Sequence, residues 1–542
     1  MQTYKTKVYQ HLGIIAGICD EIGLVENIDS RIPAPKRKVS IGRAVKSMII
    51  NALGFSNRAM YLHPKFYRNK PVDLLIGENI SADDLHDDCL GTALDALYDY
   101  GVTELFYHLA SYAFTVYKIP HKFVHLDTTT FSLYGRYNSE EDDDDTSEVV
   151  KITKGYSKDN HPDLNQVVVS LMCSYRSSLP LWIETLSGNS SDKKSFVKSI
   201  KMFKDQFKKK KLPCFVADSA MYTAEGLKQL EEIKWVTRVP ENVKLAKECI
   251  ANIDKKEMTA SEEKGYSYKE VDVEYAEIRQ RWLVVFSQQA YDREYATLAK
   301  HIRKENENEG KALWHLSHQF YACEADAIKA AERFSRKLKY HQLEYRIEVK
   351  NHYDGKGRPD ADEKPVRQEW YITGSLIIDA EAVGAAAGMK GFFIIATNEL
   401  DRLTLDNEQL LSVYKAQGVS VERGFRFLKD PEFFAESLYL KLPKRIMALI
   451  MIMGLSLLIY SLAERKLRRE LVASQSVVPD QKGKPTVKPT IRWVFQLFED
   501  ILILYIQDGD KLKLLLQNNE DYHETIARCL GVNVRKMYFF DN

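Results

Sequence analysis

At 542 residues the chain is too long for one hydrophobic core, so several domains are expected. Apolar residues at 45% and charged residues at 28% exclude a disordered or collagen-like chain and fit a soluble globular protein. A net charge of +1 excludes a global pull toward nucleic acid or membrane, leaving only local patches to do such binding. The seven cysteines form no close pair, which suits free thiols in a reducing cytoplasm. The start, MQTYKTKVYQHLG, lacks the apolar core of a signal peptide.

Residues 1–118 predict an all-helical region. VSIGRAVKSMIINALGF (39–55) opens on Ser40 as a cap and carries apolar residues at helical spacing. SADDLHDDCLGTALDALYDYG (81–101) predicts another helix. Its acids, Asp83, Asp84, Asp87 and Asp88 with His86, are metal-type ligands. Acids gathered at a helix start are more simply explained by capping and the macrodipole.

The texture then changes. KFVHLDTTTFSLYG (122–135), LNQVVVSLMCSY (164–175) and SLPLWIETLSG (178–188) predict strands, and SEEDDDDTSE (139–148) a solvated loop. An amphipathic helix over 192–211 ends in KKKK, followed by the buried-type strand LPCFVADSAM (212–221) and WVTRVP (235–240). Strands, a helix and more strands predict a mixed α/β sheet over 119–240. Residues 241–385 interrupt it with strand-like pieces around charged helical tracts, an α+β insertion. GFFIIATNE (391–399) resumes the core, which runs over 386–470. Residues 446–463 carry no charge and just reach the length of a membrane span, but stand alone; a helix buried on all sides is the expectation. Residues 471–542 predict a linker and a helical tail.

Three acids occupy comparable places. Asp127 follows the apolar FVHL, Asp218 ends PCFVA, and Glu422 lies on a helix after a third strand. A charge at the mouth of a buried strand is costly unless it is hydrogen-bonded or coordinates a metal. Carboxylates meeting at one sheet end suit hard cations such as Mg²⁺. On the helix VYKAQGVSVERGFRFLKDPEFF (413–434), Glu422, Arg426 and Lys429 share a face. The bland reading there is a solvated face with an ion pair; the sharp one is a metal ligand flanked by phosphate-binding cations.

HLDTTTF, FVADSAMYTAEGL and ERGFRFLKD resemble the DDE triad of bacterial insertion-sequence transposases, within the insertion-sequence-four superfamily. That superfamily's marker is Tyr, two residues, Arg, three residues, Glu, six residues, Lys; this chain has Tyr414, Gln417, Glu422 and Lys429. GYSKDNHPDLNQVVVSLM, LSGNSSD and LPKRIMALIMIMGLSLLIYSLAERKLR resemble further family blocks. The N-terminal region resembles the helical domain of one subgroup. The resemblance implies an RNase H-like core interrupted by an insertion before the last acid.

It also implies roles. Asp127, Asp218 and Glu422 would hold two Mg²⁺ or Mn²⁺ ions, and Tyr414, Gln417, Arg426 and Lys429 would contact DNA. Two departures stand out. Gln417 replaces the family's arginine, and the step from 417 to Glu422 is one residue longer than the marker. The extra residue rotates Tyr414 by about 80° from Glu422 on an ideal helix, which predicts a break or a π-bulge near Gly418. Trp282, Trp314 and Trp370 are candidates for stacking on a flipped base, with core packing as the simpler role. GRP (357–359) and the KKKK tract are further DNA candidates, as are Arg43, Lys46, Arg58, Lys65 and Arg68 of the N-terminal region.

The expected function is cut-and-paste transposition by two-metal catalysis, on inverted-repeat ends and target DNA, as a homodimer in a bacterial cytoplasm and nucleoid, without a membrane. The competing readings are an inactive transposase-derived DNA-binding protein and a metal-dependent nuclease without strand transfer.

Overall fold

The structure, a computed structural model, describes residues 3–55, 62–134, 137, 149–207, 212–354, 364–432, 440–509 and 511–540. The acidic run 139–148, the KKKK tract 208–211, Arg58 and the GRP segment 357–359 lie outside them. The chain forms two compact units. One comprises Met1–Arg238, Glu274–Gln280 and Thr397–Asn542; the other, Val239–Val273 and Arg281–Ala396, interrupts it in sequence.

The helix Pro443–Ala473 is the mast of the first unit. Its uncharged stretch is apolar on every side, so it offers water no polar face and is stable only when surrounded. It packs against the helices Ile41–Leu53, Asp87–Tyr100 and Val102–Val116, and against the strand Pro180–Ser187. By length and composition it could cross a membrane, yet 83% of its apolar window is buried within the protein. Gly454 permits the closest approach: a Cβ there would stand 2.9 Å from Ile183 Cδ1 and 3.0 Å from Phe106 Cε2.

The helical N-terminal region also contains a strand. β1 (Thr3–Val8) pairs antiparallel with Leu502–Asp508, which pairs in turn with Lys511–Gln517. The expected helical tail therefore carries this hairpin between the helix Ile491–Leu497 and two further helices, Asp521–Leu530 and Val532–Tyr538. Ser40 accepts a hydrogen bond from the Arg43 N–H and caps its helix, as the sequence predicts.

The catalytic-type sheet consists of β2 (Phe123–Leu133), β3 (Asn165–Ser174), β4 (Pro180–Ser187), β5 (Cys214–Ala217) and β6 (Trp235–Arg238). Their spatial order is β4-β3-β2-β5-β6. β2, β3 and β4 pair antiparallel as a meander, whereas β5 and β6 run parallel to β2. Three antiparallel strands followed by two parallel ones make the RNase H-like core. The helix Asp192–Gln206 provides the crossover that parallel pairing of β5 requires.

Strands Phe392–Thr397, Ile278–Ser287, Tyr266–Tyr275 and Thr259–Ala260, most of whose residues belong to the second unit, lie side by side in that order. A hairpin, His341–His352 with Arg367–Ile378, packs on the helices Gln288–Ser317 and Glu324–Ser335 around Ala327, Ala331 and Ile372. This is the α+β insertion.

The close contact at Gly454 gives a stability test. Gly454→Leu should lower folding stability by about 1–3 kcal/mol through overpacking against Ile183 and Phe106. Urea denaturation checks this, and an unchanged midpoint would contradict the packing described.

Candidate active site

Strand register brings the two aspartates together. β2 and β5 pair in parallel with Phe123 level with Cys214, Val124 with Phe215 and His125 with Val216. Carried two residues past its last pair, that offset brings Asp127 level with Asp218, and the two are close enough for Asp218 to act on the Asp127 charge. Asp218 directly follows β5 and caps the short turn after it, its carboxylate accepting from the Ala220 N–H. Buried Thr237 donates its hydroxyl to the Asp218 carbonyl and fixes that backbone. Asp127 accepts from the Thr128 N–H at 2.7 Å.

Burial raises the Asp127 carboxyl to about 6, against the opposing pull of Lys158 and the Thr128 hydrogen bond, with Asp218 and Asp192 pushing further up. Asp218 is raised as well, first by burial. Two carboxyls raised mainly by burial, with Asp192 pushing each further up, suit a cation between them.

Lys158 supplies that charge, and sequence reasoning did not single it out. Its ammonium lies 3.8 Å from Asp127 Oδ1 and 3.0 Å from Asp192 Oδ2, and donates to the carbonyl and hydroxyl of Thr128, each at 2.8 Å. The Thr128 hydroxyl donates to Asp192 at 2.6 Å. The only prior signal was the block GYSKDNHPDL, whose fold back onto β2 no spacing reveals.

The expected helix 413–434 is two helices, Asn407–Lys415 and Gln417–Leu428, joined at Ala416. The extra residue is thus absorbed by a break just before Gly418. The break leaves carbonyls at the first helix's end in need of donors. Buried His125, two residues before Asp127, donates from Nε2 to the Val413 carbonyl at 2.8 Å. Burial lowers this histidine to about 4, so it stays neutral and keeps that tautomer. Ser178 donates to the Val419 carbonyl, and the Arg176 N–H donates to Ser420 Oγ, which pins the second helix to the β3–β4 turn. Gly424 lets it sit close to β3, with a Cβ position 3.0 Å from Leu171.

On this scaffold Tyr414 is mostly buried and its hydroxyl is raised, first by burial; Arg238 and Asp218 act on it in opposite directions. It therefore belongs to the Asp218 side of the site. Glu422 is exposed and folds back along Gly418, without a hydrogen bond or ion pair among the described residues. Lys429 is engaged: it donates to both oxygens of Asp159, at 2.6 and 2.7 Å, beside the ring of Phe131. Arg426 is exposed, and Gln417 half-buried.

The other candidates separate clearly. Among the described residues, the one metal-type cluster whose donor atoms all lie within 4.8 Å is His86, Asp87 and Asp88, all exposed. His86 caps a helix by accepting from the Cys89 N–H, with Asp87 and Asp88 in its first turn; Asp84 closes a capping box with Ser81 and pairs with Lys38. The triad carboxylates are not so tightly gathered. Trp282 is fully buried and Trp370 packs on the insertion core, which removes both as base-stacking surfaces; Trp314 is exposed, against His318. Lys46 is buried and paired with Asp20, so it is not a free DNA contact.

A family model, "Transposase DDE domain", matches residues 120–460, well over half of the chain. The chain belongs to the DDE transposase family. A second model, "Domain of unknown function (DUF4277)", matches residues 4–111 of the transposase. No curated relative matches the chain. Among solved structures, the piggyBac transposase in a synaptic complex with hairpin DNA is similar at 10% identity and a TM-score of 0.37, covering 92% of this chain and 82% of that one.

The family acts on DNA with divalent metal. The all-oxygen donor set of two adjacent, partly desolvated carboxylates fits such an ion.

Burial of Asp127 has a pH signature. Its folded value near 6 lies above its ordinary 3.8, so the folded state holds the proton more tightly, and stability falls as pH rises between those values. With chelator present, Asp127→Asn should stabilise the protein above pH 6 by up to about 3 kcal/mol and leave it unchanged well below pH 4. Denaturant titration across pH checks this; a pH-independent difference would contradict it.

Proposed function

We propose that the transposase moves its element by a cut-and-paste route, with Asp127, Asp218 and Glu422 as ligands for two Mg²⁺ or Mn²⁺ ions. The reading is supported chiefly by the parallel register of β2 and β5, which, continued two residues past its last pair, brings Asp127 and Asp218 level. When bound at these carboxylates, divalent ions would supply Lewis acidity and an activated hydroxyl for phosphodiester displacement. The protein's own groups do the positioning. Asp127 and Asp218 fix one wall of the site, and the Thr128 and Ala220 N–H groups hold their carboxylates in place. Glu422, without a competing partner among the described residues, is available as the third carboxylate.

Water oxygen attacks the phosphorus at the element end, the P–O3′ bond breaks, and the freed 3′-hydroxyl then attacks a target phosphate with loss of the target's 3′-oxygen. Arg426, Lys429, Gln417 and Tyr414 contact strand phosphates beside that centre, with Lys429 leaving Asp159 for a phosphate. Joining two inverted-repeat ends calls for a homodimer, acting on chromosomal DNA in the cytoplasm.

Labelled element ends incubated with the purified protein and Mg²⁺ test the proposal. The native protein should nick the ends and join them to target, whereas Asp127→Ala and Glu422→Ala should bind the ends without cutting. Cleavage that survives either substitution would remove that residue from the triad, and binding without cleavage by the native protein would overturn the catalytic reading.

A further inference from the structure

A second charged site includes Arg423, the residue after Glu422 on its helix. Arg176 of the β3–β4 turn, Arg423 of that helix, and Arg465, Arg468 and Arg469 of the helix Pro443–Ala473 line one pocket of about 340 Å³ with a single acid, Glu464. Arg465, Arg468 and Arg469 stand at i, i+3 and i+4, a spacing that places like charges against one another at a cost to the helix.

The acid is already used up. Glu464 Oε1 accepts from Arg423 at 2.6 Å and Arg468 at 3.0 Å, and its Oε2 accepts from the Ile491 N–H at 3.1 Å. Arg469 pairs with Glu470 and Arg176 with Ser412 Oγ. Arg465 has no acidic partner among the described residues, although it is half buried. Burial and the neighbouring Arg469 both act against its charge. A half-buried guanidinium held among four others, with no acid of its own among the described residues, suits an anionic ligand.

We infer that this arginine pocket binds the phosphodiester backbone of duplex DNA at a position separate from the scissile phosphate. The planar guanidinium fork matches phosphate oxygens two at a time, which suits this ligand better than a lone carboxylate. Arg423 directly follows Glu422 in sequence, so phosphate held here registers the duplex against the helix that carries the third carboxylate. The inference rests on the transposase reading for its ligand class. It adds a contact that fixes where the strand lies and takes no part in the chemistry.

The test measures binding of a short fluorescein-labelled duplex of unrelated sequence to the full chain, by anisotropy over a salt series, for the native protein, Arg465→Gln, Arg469→Gln and Arg465→Lys. The Arg469 side chain is 55% exposed, so its removal does not endanger folding. Each glutamine variant should lower the slope of log K against log salt by about 1, while Arg465→Lys keeps the native slope. Competition by inorganic phosphate at the same ionic strength, equal for native and glutamine proteins, is expected. Native slopes in both glutamine variants would overturn the inference, as would phosphate competition that disappears with Arg465 and identifies a free-anion site. These outcomes are independent of cleavage: a slope loss in a protein that never cuts DNA upholds the pocket and sinks the catalytic reading, and native slopes in a protein that cuts do the reverse.

Discussion

Two carboxylates held level on adjacent parallel strands repel each other, and burial removes the water that would screen them. Everything around Asp127 and Asp218 answers that constraint. Backbone N–H groups of Thr128 and Ala220 hold one oxygen of each, and the Lys158 ammonium stands against Asp127 and Asp192. Lys158 is held in turn by the carbonyl and hydroxyl of Thr128, so the compensating charge is built into the strand that bears Asp127. Paired, desolvated carboxylates already balanced by one cation form a setting that suits a positive charge, which is compatible with the metal site proposed above.

The same strands explain how the helix bearing Glu422 finds its place. His125, on β2 like Asp127, is linked to the helix pair through the Val413 carbonyl, and the β3–β4 turn holds the second helix through Ser178 and Arg176. Behind them the apolar helix Pro443–Ala473 fills the first unit and carries the arginines that face Arg423. One element thus serves as core on its apolar length and as an anion-binding wall at its charged end.

Much of this was legible in the sequence. Apolar β-branched runs gave the strands, and acids directly following the apolar stretches FVHL and CFVA singled out Asp127 and Asp218 as candidates, because burying a carboxylate without purpose is costly. Counting eight residues from Tyr414 to Glu422 gave a helix defect, and the break at Ala416 is that defect. The uncharged run 446–463 gave a buried helix, since nothing polar in it could face water. What stayed hidden depends on distant pairing. β1 needs a partner some five hundred residues away, and no local pattern in TYKTKV names Leu502–Asp508. Lys158 reads as an ordinary loop lysine until the chain folds back on Thr128. Trp282, Trp314 and Trp370 look alike in sequence, and only packing separates two core residues from one exposed ring.

The most direct test of the central claim is to locate the metal. Crystals of the native protein soaked in Mn²⁺ and measured at the manganese edge should show an anomalous peak bounded by the carboxylates of Asp127 and Asp218, with the Lys158 ammonium moved away from Asp127. A peak confined to His86, Asp87 and Asp88, or no peak between the two aspartates at saturating Mn²⁺, would contradict the account.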